Sequence, residues 1–190
     1  EFMIYEKKDT TALITINRPK ALNAFNSQML DELTEALEMA EKDTGVRCVI
    51  LTAAGERAFT AGGDIKEEVQ LNETTAAEFS RRGKKMIRSI LNHRVPVICA
   101  VRGYALGGGM EMILAADITV AATDAKIGIP TIKLSRSFFA DSSIHACLFR
   151  SLLLRLLSFD FSLCIFLAQA GQYFDMPGGE HIQHRTPYNS

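Results

Sequence analysis

The sequence predicts an α/β fold built on a largely parallel sheet covered on both faces. Three observations predict it. Short apolar, β-branched runs alternate with amphipathic helical stretches. Those runs are apolar at nearly every position, as in strands buried on two sides. Glycine and proline fall between the runs rather than inside them. The 190 residues suit one domain, or at most a domain with a tail. A hydrophobic content of 47% against 23% charged residues gives enough apolar surface for a core.

The elements follow in order. Residues 12–16 read as a strand, ended by Asn17-Arg18-Pro19, because proline removes a donor and restricts its neighbour. A helix starts at about Ser27, read as its N-cap. Met29, Leu30, Leu33, Ala36, Leu37 and Ala40 then line one helical face. Residues 46–52 form a second strand, broken by Ala53-Ala54-Gly55, and Ala61-Gly62-Gly63 is a turn. A second amphipathic helix spans 75–92, with Phe79, Met86, Ile87, Ile90 and Leu91 inward. Pro96 precedes a buried strand at 97–101. Gly107-Gly108-Gly109 opens a short apolar helix that runs through Ala116, and 118–122 and 126–129 are further strands. No repeat of fixed period is present.

Lys and Arg total 21 against 22 for Asp and Glu, and a net charge of -1 excludes a function driven by global attraction to nucleic acid or anionic lipid. Cys48, Cys99, Cys147 and Cys164 show neither CxxC nor metal-ligand spacing, so no disulfide framework and no metal site are expected, and a reducing, cytoplasmic setting follows. Glu1-Phe2 precede a Met3 that reads as a natural start, and both are expected to be a cloning scar. No basic stretch leads into an apolar one there, so secretion is not expected and Asn72-Glu73-Thr74 is a chance glycosylation match. The uncharged run 161–174 is shorter than the roughly 20 residues a spanning helix needs, which predicts no membrane span.

Two glycine turns are candidate sites: Ala61-Gly62-Gly63-Asp64 and Gly107-Gly108-Gly109-Met110-Glu111. Glycine lets a ligand approach backbone N–H groups closely, and a helix N-terminus favours negative charge. Phosphate cradling and oxyanion stabilisation compete with a tight packing turn. The phosphate motifs fail, since there is no GxxxxGK[ST] and Met112 stands where the last glycine of GxGxxG belongs. Glu111 favours the oxyanion reading, because it places a carboxylate in the first turn of an otherwise apolar helix.

Several blocks resemble the enoyl-CoA hydratase/isomerase, or crotonase, family. They are Asn17-Arg18-Pro19-Lys20-Ala21-Leu22-Asn23-Ala24, then Ala58-Phe59-Thr60-Ala61-Gly62-Gly63-Asp64-Ile65-Lys66, then Gly103-Tyr104-Ala105-Leu106-Gly107-Gly108-Gly109-Met110-Glu111, continued by Ala115-Ala116-Asp117-Ile118. The resemblance covers about residues 3–134. It implies a spiral of ββα units, assembly as homotrimers or hexamers, and acyl-CoA thioester substrates of the kind handled in fatty acid metabolism. It implies no cofactor beyond the CoA moiety. By the same resemblance, Gly63 and Gly108 supply two N–H donors to the thioester oxygen, and Glu111 is the acid/base. Lys20, Ala21, Leu22, Ala61, Gly63, Asp64, Ile65, Lys66, Gly107 and Gly108 match CoA- and substrate-contacting positions. Lys20 and Lys66 also read as ordinary solvated lysines.

The family's second catalytic glutamate corresponds to Thr131, which can hydrogen-bond a water but cannot take its proton. That substitution leaves hydratase, isomerase, dehydratase and decarboxylase chemistry open, and makes a catalytically impaired CoA-thioester-binding protein the alternative. After Leu134 the resemblance stops. Residues 135–190 read as a divergent segment, out of frame or truncated, with a Leu/Phe-rich helical part at 144–170. In the family the corresponding helices cover the acyl pocket and build the trimer interface, so low stability or a nonstandard oligomer is expected. A third reading makes the 144–170 stretch a partner helix. His181 and His184 in that tail read as chance rather than a metal pair.

Overall fold

The computed structural model describes residues 2–130. Thr131, the 135–190 segment, its 144–170 stretch and the His181/His184 pair therefore lie outside the described residues. The order is β1 (Met3–Lys8), β2 (Thr11–Ile16), a single 3-10 turn at Pro19–Ala21, α1 (Ser27–Lys42), β3 (Cys48–Ala53), β4 (Ala58–Thr60), α2 (Ile65–Glu68), α3 (Glu73–Leu91), β5 (Val97–Val101), β6 (Tyr104–Leu106), α4 (Gly108–Ala115), β7 (Ile118–Ala121) and β8 (Lys126–Gly128).

The strands form two sheets. The larger runs β1-β2-β3-β5-β7 and the smaller β4-β6-β8. Among the described strands β1 and β2 pair antiparallel and the other strand pairs are parallel. In the larger sheet Ala12 pairs with Val49 and Val49 with Val97, while Ile14 pairs with Leu51 and Leu51 with Cys99. The side-chain period of two puts these residues on one face, and all six are fully buried. α1 packs on β1 and β2, and α3 packs on α1 and α4. Apolar residues at helical spacing drive this: α1 buries Met29, Leu30, Leu33, Ala36, Leu37 and Ala40, and α3 buries Phe79, Met86, Ile87 and Ile90. Leu91, expected inward, is half-buried.

The described residues cover the opposite face less completely. Leu13, Ile50 and Ile98 are half-buried there, and on β7 Ile118 and Val120 are exposed by 50% and 61%.

Both long helices begin at an asparagine. Asn26, not Ser27, caps α1, accepting from the Met29 N–H at 2.9 Å. Ser27 is instead the first helical residue and turns its N–H and hydroxyl to the Glu67 carboxylate. α3 starts two residues before the expected Thr75, because Asn72 and Thr75 form a reciprocal capping box with both bonds at 2.9 Å. The Asn72-Glu73-Thr74 triplet thus has a structural role as a helix start. No helix among the described residues is long and apolar enough to cross a membrane.

Asn72 is exposed, so its replacement removes a cap and no core contact. Asn72→Ala is expected to lower stability by about 1 kcal/mol. Urea titration should show this as a lower midpoint at unchanged slope.

Candidate functional site at the glycine turns

The smaller sheet places the site. β4 and β6 run parallel, with Ala58 beside Tyr104 and Thr60 beside Ala105. The turns that follow them therefore leave from the same sheet edge. Gly62 lies in the second half of this contact. Its φ of +90° is one that side chains avoid, and a Cβ there would stand 2.8 Å from the Leu106 carbonyl oxygen. Glycine is required twice over, by conformation and by space. The Gly107 turn is anchored on its other side, where its N–H donates to the Gly128 carbonyl of β8 at 2.9 Å. Helix α4 is seated as closely, since a Cβ on Gly109 would lie 2.6 Å from Thr60 Cγ2.

The first turn is clamped to residues 22–25 by backbone bonds. The Ala61 N–H donates to Leu22 at 3.0 Å, the Phe25 N–H to Gly62 at 2.7 Å, and the Asp64 N–H to Phe25 at 2.7 Å. The Gly62 N–H is taken up by Thr60 Oγ1 at 3.1 Å. A trans peptide is planar, so an N–H points opposite to the carbonyl of the same unit. Because the Gly62 carbonyl faces Phe25, the Gly63 N–H faces away from it. Gly108 is treated alike: the Gly107 carbonyl accepts from the Glu111 N–H at 3.1 Å, so the Gly108 N–H points off the start of α4. The Glu68 carboxylate of α2 stands against Gly63, at the place a Cβ would fill.

Glu111 sits in the first turn of α4 and is only 6% exposed. Cys99, the nearest rival nucleophile type in this core, is a poor one: burial pushes its thiol up to about 12.

The other expected site residues fall into three groups. Ala21, Leu22, Ala61, Gly63, Gly107 and Gly108 lie in the clamped turns described above. Lys20 and Lys66 are exposed, as is Ile65 at 70%. Asp64 is buried, and its carboxylate is committed to the protein: Oδ2 pairs with Arg18 Nη1 at 2.6 Å and Oδ1 caps α2 through the Lys66 N–H at 3.0 Å. Burial alone raises the Asp64 carboxyl, but the Arg18 guanidinium and the Lys66 N–H outweigh it and hold the group below its usual range.

Sequence reasoning assigned no role to Asn23, Arg18 or Thr60. Asn23 is 1% exposed and left-handed at φ +55°; its side chain accepts from the Arg18 N–H and donates to the Ala54 and Ala58 carbonyls. A buried amide among apolar neighbours was the available signal.

The architecture defines an α/β protein in which two glycine turns meet at the carboxyl ends of the parallel strands β4 and β6, the second turn opening the helix that carries the buried Glu111. The profile of the family described as enoyl-CoA hydratase/isomerase matches residues 6–152. The chain belongs to that family. It is 44% identical over 132 residues to a short-chain-enoyl-CoA hydratase of Clostridium acetobutylicum, covering 70% of this chain and 51% of that protein. It is 41% identical over 134 residues to a crotonyl-CoA hydratase of Syntrophomonas wolfei, covering 70% and 52%. The chain thus spans about half the length of the curated relatives it matches. Among solved structures, an enoyl-CoA hydratase from Bacillus anthracis superimposes with a TM-score of 0.72 at 30% identity, over 76% of this chain and 57% of that one. An enoyl-CoA hydratase/carnithine racemase from Magnetospirillum magneticum gives 0.73 at 32% identity, over 79% and 56%. The crotonase-like fold is therefore shown.

The depressed Asp64 carboxyl sets a pH dependence. A group whose pKa falls on folding stabilises the fold above its unfolded pKa, and that contribution is lost as pH falls through the folded value. Urea midpoints of wild type and Asp64→Asn, measured down a pH series, should differ at neutral pH. The gap should close below the ordinary carboxylate range.

Proposed function

We propose that the chain is the catalytic core of an acyl-CoA-processing enzyme of the hydratase/isomerase type. The Gly63 and Gly108 amides polarise the CoA thioester, and Glu111 moves the proton. The observation that supports this best is the meeting of the two glycine turns at the carboxyl ends of β4 and β6, with Glu111 buried one helical turn away.

The chemistry needs those groups for a definite reason. Adding to, or removing a proton from, the carbons next to a thioester places negative charge on its oxygen. Two fixed N–H donors stabilise that enolate without reorganising, and one such donor contributes on the order of 3 kcal/mol. Backbone amides are held by the Phe25–Gly62 and Glu111–Gly107 bonds and do not titrate near neutral pH. A buried carboxylate then accepts or returns the proton. Thr131 stands at the second acid position, so Glu111 is the carboxylate assigned to the transfer unless another carboxylate substitutes for the second acid. The CoA portion runs past Lys20, Ala21, Leu22 and residues 61–66, where exposed Ile65 offers an apolar contact and the two exposed lysines offer cations for phosphate. No cofactor beyond the CoA moiety enters this scheme.

Glu111→Gln keeps the shape and removes the base. Turnover of a short enoyl-CoA should fall by roughly 10²–10⁴-fold. Binding of the thioester, followed by calorimetry, should stay near that of the wild type. Equal turnover in mutant and wild type would remove Glu111 from the mechanism.

A further inference from the structure

A guanidinium lies beside the first glycine turn and takes no part in the chemistry proposed above. Arg18 Nη1 donates to the Ala24 carbonyl at 2.9 Å and pairs with Asp64 Oδ2 at 2.6 Å. Ala24 and Asp64 belong to the two chain segments that Phe25 and Gly63 join by an isolated parallel bridge. One side chain thus spans the bridge from segment to segment. Its carbon lies 5.5 Å from the centre of the Phe2 ring, which limits where the guanidinium can swing, and the Arg18 backbone N–H is held by the Asn23 amide at 2.8 Å. Arg18 and Asp64 side chains are 22% and 12% exposed, so water competes little for either group.

The bridge decides where the Gly63 N–H points, since the bond from Phe25 to the Gly62 carbonyl sets the plane of the 62–63 peptide. Gly62 itself cannot resist rotation, because a glycine at φ +90° has no side chain to restrain it. The restraint has to come from outside the turn. We propose that Arg18, acting through Asp64 and the Ala24 carbonyl, is a positioning residue that holds the Gly63 amide in line for the thioester oxygen. This rests on the two-amide reading. It adds a residue remote from the substrate whose loss acts on the charge-developing step rather than on binding.

Arginine suits this task where lysine does not. Both acceptors are served by one nitrogen, Nη1, whose two hydrogens are fixed in the guanidinium plane, whereas an ammonium is a point charge on a flexible stem. Arg18→Lys therefore keeps the charge and loses the alignment. Asp64→Asn is the second variant: asparagine still caps α2 and loses the ion pair.

The test uses the full chain and a 3-arylpropenoyl-CoA, a thioester whose absorbance shifts to the red when its carbonyl is polarised. Kinetics with a short enoyl-CoA run alongside. The wild type should shift the spectrum. Arg18→Lys should bind with Kd within about two-fold of wild type and lose roughly 10- to 100-fold in kcat with KM little changed, and both Arg18→Lys and Asp64→Asn should show a smaller red shift of the bound thioester. A lower melting point with the red shift and kcat intact would make the pair merely structural and overturn the inference. An unshifted spectrum in the wild type would instead overturn the two-amide reading itself, and with it the task assigned to Arg18.

Discussion

The parallel pairing of β4 with β6 is the constraint on which the site depends. Parallel neighbours end at the same sheet edge, so the turns after them meet; antiparallel ones would send residues 61–63 and 107–109 to opposite ends. The contact then tightens to backbone distance, with the position of a Gly62 Cβ 2.8 Å from the Leu106 oxygen. Any side chain at 62 would push the turns apart. The candidate site is thus a consequence of strand direction and of one missing Cβ, and no functional side chain is needed to bring its halves together.

Much of the larger sheet was legible in the sequence because its strands carry their own signal. Runs such as Val97–Val101 are apolar and β-branched, and α1 and α3 repeat apolar residues at helical spacing. Three strands and one helix were not. β1 (MIYEKK) is an edge strand with mostly exposed side chains, and β4 and β6 are three residues each. Elements that short are defined by the neighbours that pair with them, and a period of two cannot be read from three residues. α2 has four residues and owes its start to the Asp64 cap. The choice between Asn26 and Ser27 as the cap of α1 was equally hidden. It turns on Glu67, 40 residues away in sequence, which claims Ser27.

The glycine blocks and Glu111 stood out locally, whereas the groups that stiffen them did not. Asn23 works through carbonyls 31 and 35 residues further along, and Arg18 through Asp64. Such partners cannot be paired from one sequence. Yet they matter physically. A glycine turn left to itself explores many dihedrals, and a donor that must reorganise as charge develops loses most of its advantage over water. The left-handed Asn23 hinge, the Arg18 crosslink and the Thr60 hydroxyl under Gly62 convert a permissive sequence into a stiff one.

Among the described residues the restraints on the two amides arise between Phe2 and Gly128, inside a chain that covers about half the length of its curated relatives. The direction of an N–H is a short-range property, set by the carbonyl of its own peptide and that carbonyl's partner. Enclosure of an acyl chain is a long-range property, needing surfaces from several elements, and the exposed Ile118 and Val120 show that the described residues leave part of the sheet uncovered. On the proposed reading, polarising power and acyl selectivity therefore rest on different parts of the chain. The proposed carbonyl-binding device can be intact in a chain whose acyl pocket is drawn from elsewhere, and loss of selectivity need not carry loss of polarisation with it.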